Sequence, residues 1–273
     1  MPLEPRVHWL TRTLRTLDRR SASAAIADRR RQSAAVSRRG AVLVMPKGPA
    51  PAEQRDIQVP VDAGRIRVRL YRPHGSGPLP LYVFLHGGGW CVGTVEERDS
   101  RCRAVADGAR CTVASVDYRM APENAYPVPA EDCYAALTWL ADHADELDID
   151  ATRVAIGGES AGGNLAAVVC LMARDRSGPS IVHQWLDVPA TDLTLSQPSF
   201  RDVPDGYLLD RASIDEYLAC YLTDPAQATE PYASPLLAAD HHGLPPAWLM
   251  SAAYAQPRDA ARVPAAALAA AGL

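Results

Sequence analysis

Apolar and polar positions alternate through Asp56-Ile57-Gln58-Val59-Pro60-Val61 and again through Ile66-Arg67-Val68-Arg69-Leu70-Tyr71. A period of two is that of a half-buried strand, so these residues predict a hairpin at one sheet edge, turning at Ala63-Gly64. Further on the pattern changes. Short continuous apolar runs near residues 81–85, 112–116, 153–157, 182–188 and 247–252 are separated by longer helical stretches, Leu165 to Met172 among them. Unbroken apolar strands are buried on both faces. Alternating with helices, they predict an α/β fold with a mostly parallel sheet and helices on both faces.

The first 40 residues read differently. Val7, Leu10, Leu14 and Leu17 recur at helical spacing, and ten arginines stand against Glu4, Asp18 and Asp28, a net +7. Arg29-Arg30-Arg31 could be a patch for nucleic acid or an anionic membrane. The helical spacing favours an amphipathic helix with a solvated basic face, and no nucleic-acid partner is expected. The Pro-rich stretch Met45-Pro46-Lys47-Gly48-Pro49-Ala50-Pro51 then reads as a linker. The predicted organisation is N-terminal cap helices and linker over residues 1–50, and a core over 51–273. A cap insertion at about 191–230 carries Asp205-Gly206-Tyr207-Leu208 and the helical stretch Ser213 to Leu222. A chain of 273 residues accommodates one such domain with a small helical cap.

Two motifs carry candidate chemistry. Gly158-Glu159-Ser160-Ala161-Gly162 follows the apolar run Val154-Ala155-Ile156 and precedes a helix, the strand–turn–helix setting of a G-x-S-x-G nucleophile elbow. The sharp turn presents Ser160, and the helix N-terminus behind it offers unpaired N–H groups and a positive dipole end. Upstream, Leu81-Tyr82-Val83-Phe84-Leu85 runs into His86-Gly87-Gly88-Gly89-Trp90, a glycine-rich loop where an oxyanion hole would be built. Ser160 is the candidate nucleophile; the N–H groups of Gly87, Gly88 and Ala161 are the candidate oxyanion donors; His86, Gly89 and Glu159 complete the motifs. Either motif alone is a plain turn in many chains. Both in this order, each after an apolar strand, point to serine hydrolase chemistry.

These residues resemble the hormone-sensitive lipase family of α/β-hydrolases. His86-Gly87-Gly88-Gly89-Trp90 matches its H-G-G-G-W loop, Asp117-Tyr118-Arg119-Met120-Ala121-Pro122-Glu123 is similar to its D-Y-R-L-A-P-E segment, and Gly158-Glu159-Ser160-Ala161-Gly162-Gly163-Asn164 to its elbow. Ser234-Pro235-Leu236 and Gly243-Leu244-Pro245-Pro246-Ala247 resemble two later family runs. The resemblance covers the chain from about residue 55 onward. It implies an α/β-hydrolase fold and a carboxylic ester hydrolase acting on small-molecule, short-chain acyl esters.

The departures set further expectations. Ala255 stands where the family carries its triad acid, no histidine follows His242, and the chain stops at Leu273, where the family continues into a further strand, helix and histidine loop. The last strand and helix are thus expected to be lacking, with the 247–252 strand left as an edge open to self-association. His241 and His242 precede that strand and are expected to be solvated at the far sheet end. Asp259, about 6 Å along a helix from Ala255 by helix rise, has no triad role without an imidazole. Weak acylation without efficient turnover is the expectation, since crippled triads retain roughly a thousand- to ten-thousandfold over water. The alternative is a non-catalytic small-molecule binder, as in plant gibberellin receptors, which resemble this family and lack its histidine. A third reading is a decayed copy.

Composition adds limits. Six cysteines show neither C-x-x-C nor metal-ligand spacing, so no metal, no cofactor and free thiols are expected, with Cys91 a buried small hydrophobe. No signal-like segment or run of roughly 20 apolar residues occurs, which predicts a cytoplasmic protein without stable membrane insertion.

Overall fold

The computed structural model describes residue 26, residues 28–31, 48–202 and 209–252, and residues 259 and 269. Ala255, Pro264 and most of the N-terminal basic region lie outside the described residues.

The hairpin forms as expected. β1 (Glu53–Val61) pairs antiparallel with β2 (Gly64–Arg72), and the turn places Ala63 at φ 56°. β3 (Leu79–Leu85), α1 (Asp99–Ala109), β4 (Thr112–Asp117), α2 (Val128–Asp142) and the short α3 (Ala144–Leu147) follow. Next come β5 (Ile149–Glu159), α4 (Ala161–Asp175), β6 (His183–Asp187), the short α5 (Ser199–Asp202), α6 (Arg211–Tyr221) and β7 (Ala247–Met250). The strands make one seven-stranded sheet in the order β1-β2-β4-β3-β5-β6-β7, parallel from β4 to β7. The chain therefore has the mostly parallel α/β sheet that its pattern predicted and the α/β-hydrolase architecture that the resemblance implied.

Alternation inside β3 explains why its sequence shows none of the usual polar positions. Leu81, Val83 and Leu85 enter the core on one face, while Tyr82 and Phe84 enter a second cluster on the other. α1 covers that second face with Cys102 and Ala106. On the first face α4 is buried at every residue from Ala161 to Ala173, which is why its sequence is apolar all round.

Strand ends differ from the expectation where partners, not propensity, decide. β5 begins at Ile149, ahead of the apolar run, because Ile149 pairs with Leu79 across a register shift at Pro80/Leu81. β6 stops at Asp187, where Val188 turns to φ 40°. β7 ends at Met250, and Trp248 and Met250 stand exposed on it. Among the described residues, β7 is the last strand of the sheet on its side. No helix of the described residues is long and apolar enough to cross a membrane.

Candidate active site

Ser160 lies between β5 and α4 at φ 54°, ψ −117°. That left-handed backbone costs a non-glycine residue on the order of 1–3 kcal/mol and persists only where its surroundings hold it. Here both peptide groups are fixed: Ser160 N–H donates to the Asp187 carbonyl (2.8 Å), and the Ser160 carbonyl accepts from Asn164 N–H (3.0 Å). Small neighbours make the turn possible. A Cβ on Gly158 would come within 2.4 Å of the Leu85 carbonyl oxygen, and one on Gly162 within 2.1 Å of the same atom. The elbow thus needs glycine at both positions because the end of β3 runs directly against it.

The loop after β3 is equally constrained. A Cβ on Gly87 would meet the Glu159 carbonyl oxygen at 2.8 Å, and one on Gly88, at φ +126°, the Val92 carbonyl oxygen at 2.0 Å. Gly89 takes φ +58° beneath the Tyr217 ring of α6. His86 is fully buried and stacks on Tyr118 at 4.3 Å, and the Tyr118 hydroxyl donates to the His86 carbonyl (2.8 Å). Burial pushes the His86 imidazole below the usual histidine range, so it is neutral. Its Nδ1 lies 3.0 Å from the Gly87 carbonyl, which only accepts, so Nδ1 carries the proton. His86 is thereby a support of the loop.

Asn164, fully buried on the first turn of α4, joins three segments. Its amide donates to the carbonyls of Ala190 and Ala233, both at 2.8 Å, and its carbonyl accepts from Trp90 Nε1 at 3.3 Å. Trp90 in turn stacks on Tyr221 of α6 at 4.3 Å. Residues 28–31 reach the same region: Arg30 Nε donates to the Cys91 carbonyl (2.6 Å), and Arg29 pairs with Glu216 (2.6 Å). Cys91 itself is buried, as expected.

A charged cluster flanks the elbow and reaches the cavity wall through Arg98 and Glu159. Arg98 Nε donates to Glu159 (2.6 Å), Arg101 Nη1 donates to Glu159 (3.1 Å), and Arg101 also pairs with Asp187. The Arg101 guanidinium covers the Phe84 and Trp185 rings at 5.2 and 5.3 Å. Two carboxylates at the ends of neighbouring strands are thereby neutralised where the chain turns into Ser160.

In front of the elbow is a cavity of about 560 Å³, within the range of small-molecule sites. Gly87, Gly88, Glu159, Ser160 and Ala161 form one side of it; Leu193, Phe200, Ile214, Tyr217 and Leu218 form the apolar remainder. No histidine is among its described lining residues. His242 is exposed and paired with Asp240 (2.7 Å), as expected of a loop residue. His241 departs from that expectation: it is partly buried, with Nε2 3.1 Å from the Pro235 carbonyl, under the Ala167 and Leu171 side of α4. Neither lines the cavity at Ser160. His143 stacks on Trp139 (3.9 Å), and Asp259 meets Ser199 N–H (3.0 Å). No group of three potential ligand side chains that could hold a metal occurs among the described residues.

Sequence reading missed Arg98, Arg101, Asp187 and Asp192. The first three are brought together only by the fold, Arg98 and Arg101 from the start of α1 and Asp187 from the end of β6. Asp192 left a local signal, since Thr194, Ser196 and Gln197 follow it within five residues. Its buried carboxylate accepts from the backbone and hydroxyl of Thr194 (2.9 and 2.5 Å) and from the hydroxyl of Ser196 (2.5 Å).

A family model described as an alpha/beta hydrolase fold matches residues 82–273. Among curated proteins, the chain is 45% identical over 223 residues to the carboxylic ester hydrolase LipN of Mycobacterium tuberculosis, covering 80% of this chain and 59% of that one. It is 43% identical over 198 residues to the carboxylesterase NlhH of the same organism, covering 71% and 62%. The chain thus spans about three fifths of the length of these relatives. Among solved structures, an esterase from Pyrobaculum calidifontis superposes with a TM-score of 0.90 at 36% identity, covering 100% of this chain and 87% of that one. An ester-hydrolase from the metagenome of Lake Arreo, complexed with a bipyridine phosphonate derivative, superposes at 0.93 with 36% identity and the same coverages. The chain belongs to the hormone-sensitive lipase-like family of α/β-hydrolases.

Proposed function

We propose that this chain carries out acyl transfer from short-chain carboxylic esters to Ser160. Ser160 Oγ bonds to the ester carbonyl carbon, the carbon–oxygen bond to the alcohol breaks, and the serine proton leaves with the alcohol. The carbonyl oxygen becomes an oxyanion held by the N–H groups of Gly87, Gly88 and Ala161; removing one such donor costs about a hundred- to a thousandfold. The observation that carries this reading is the left-handed Ser160, fixed at both peptide groups at the wall of an apolar cavity it shares with Gly87 and Gly88.

Hydrolysis of the acyl-enzyme requires a general base. Among the described residues, the two carboxylates in the cavity wall are already engaged, Glu159 by Arg98 and Arg101, and Asp192 by its own loop. Slow deacylation is the corresponding proposal for the 273-residue chain. The second reading is a non-catalytic small-molecule binding protein on the same fold, with the apolar side of the cavity, Leu193, Phe200, Ile214 and Leu218, as its binding surface.

The contacts of Arg29 with Glu216 and the Tyr217 ring support reading residues 1–50 and about 191–230 together as a cap over Ser160. The six unpaired cysteines agree with a reducing, cytoplasmic setting.

The test mixes the chain with p-nitrophenyl butyrate and follows both p-nitrophenol release and intact mass, with Ser160→Ala as control. A Ser160-dependent butyryl adduct with little turnover is the expected result. Steady turnover would refute slow deacylation; binding without adduct would replace acyl transfer by the binder.

A further inference from the structure

Two thiols meet where the glycine loop touches α6. Cys91 directly follows His86-Gly87-Gly88-Gly89-Trp90, and Cys220 is the penultimate residue of α6. Cys91 Sγ lies 4.0 Å from the Tyr217 carbonyl oxygen, and Trp90 stacks on the Tyr221 ring at 4.3 Å. These two contacts bracket Cys220 along α6, and residues 217, 220 and 221 share one helix face. The Cys91 and Cys220 thiols are accordingly in hydrogen-bond contact with each other. Of the six cysteines, Cys220 is partly exposed and the other five are buried.

Each thiol belongs to a part of the site at Ser160. The N–H groups of Cys91 and Val92 both donate to the Gly88 carbonyl, at 3.1 and 3.0 Å, so Cys91 closes the turn that carries a candidate oxyanion donor. Arg30 holds the same residue from the other side, through the Cys91 carbonyl at 2.6 Å. On α6, Ile214, Tyr217 and Leu218 line the cavity, and the Tyr217 ring lies over Gly89. A bond between the two sulfurs would therefore join the glycine loop to the helix that forms the apolar side of the cavity.

We propose that Cys91 and Cys220 are a redox-active pair, converted to an intramolecular disulfide by a low-molecular-weight disulfide such as oxidised glutathione, which fastens α6 to the glycine loop. The bond itself is independent of the ester reading above; its effect on acylation of Ser160 rests on that reading. Exchange begins at Cys220, the thiol that solvent reaches. Cys220 gives its proton to water, and its thiolate attacks one sulfur of RSSR, forming Cys220–S–S–R and expelling RS⁻. Cys91 then gives its proton to that RS⁻, attacks the Cys220 sulfur and expels a second RS⁻, which takes the proton released earlier. Two protein thiols are oxidised, RSSR is reduced to two RSH, and the protons balance. Burial pushes the Cys91 thiol up from the ordinary cysteine range, which makes its attack the slow step. A mixed disulfide at Cys220 therefore precedes the protein disulfide.

The test incubates the full chain with oxidised glutathione, blocks the remaining thiols with iodoacetamide and maps a digest made without reductant. Two fewer free thiols than the six of the reduced chain are expected, with one peptide pair joined through Cys91 and Cys220. A glutathione adduct on Cys220 should appear first, and should accumulate in Cys91→Ala. Amide hydrogen exchange across residues 211–221 is expected to slow on oxidation and to recover with dithiothreitol, while Cys220→Ser shows neither change. A Cys220 adduct that never resolves onto Cys91, a disulfide between other cysteines or between two chains, or no modification at all overturns the pair. A Cys91–Cys220 bond with unchanged exchange in α6 overturns the fastening. Labelling of Ser160 by a p-nitrophenyl alkylphosphonate should fall severalfold in the oxidised chain. A reduced chain that takes no label would refute the ester reading instead, and the disulfide map and the exchange data would still decide the pair.

Discussion

Replacing Asn164 tests how the elbow, the glycine loop and the segment leading from α6 to β7 are joined. Asn164→Leu removes three hydrogen bonds at a site with no access to water, leaving the carbonyls of Ala190 and Ala233 and the indole N–H of Trp90 without partners. At a net value of about 1 kcal/mol each, the loss is about 3 kcal/mol, a sizeable share of the roughly 5–15 kcal/mol that holds a domain folded. For a chain of this size that corresponds to a fall in melting temperature of about 6–12 °C. Asn164→Asp sharpens the argument. A carboxylate can still accept from Trp90, but it turns an acceptor toward the Ala190 and Ala233 carbonyls that now receive two N–H bonds. Asp is therefore expected to be at least as damaging as Leu at neutral pH, and to recover in part as acid protonates it and restores one donor. Urea denaturation of the three proteins at neutral and mildly acidic pH reads this directly. A loss below about 1 kcal/mol in Asn164→Leu, or an Asp variant as stable as the unmodified chain, would refute the bridging role.

Three further perturbations follow from the same geometry. Gly162→Ala places a Cβ within 2.1 Å of the Leu85 carbonyl, where backbone must move, and should cost about 1–3 kcal/mol in thermal melts while abolishing acylation of Ser160; retained labelling would show that the elbow tolerates the shift. Arg101→Ala strips the buried Asp187 carboxylate of its cation and should cost about 3 kcal/mol by urea denaturation, with Arg101→Lys recovering part of it; an unchanged transition would refute the pairing as a source of stability. Asp192 has its pKa depressed on folding, so its contribution is present above the unfolded value of 3.8 and lost as pH falls through the lower folded value. Asp192→Asn should accordingly be less stable at neutral pH and show a shallower acid limb below about pH 4 in pH-dependent melts; parallel acid limbs would contradict the assignment.

The parts of the fold that were legible in the sequence are those whose burial is continuous along the chain. β3 fills both faces of the sheet and α4 is enclosed on every side, so each appears as an unbroken apolar run. The β1–β2 hairpin was legible for the opposite reason, since it has a solvated face. Ser160 and the glycines were legible because a tight turn against a neighbouring strand admits few residue types. What pattern could not supply is pairing at a distance. The start of β5 at Ile149 is set by Leu79, 70 residues earlier, and the Arg98, Arg101, Glu159 and Asp187 cluster assembles from three elements that carry ordinary surface residues in the sequence. The partial burial of His241 likewise comes from the packing of Pro235 and Leu244 under α4.

The central claim is that Ser160 is a nucleophile set to receive an acyl group. A p-nitrophenyl alkylphosphonate, which forms a stable bond to an activated serine, tests it most directly when the labelled protein is digested and the adduct is mapped. One phosphonyl group per chain, on the peptide containing Ser160 and absent from Ser160→Ala, is the predicted result. Label at another residue, or none while the folded chain binds the probe, would contradict it.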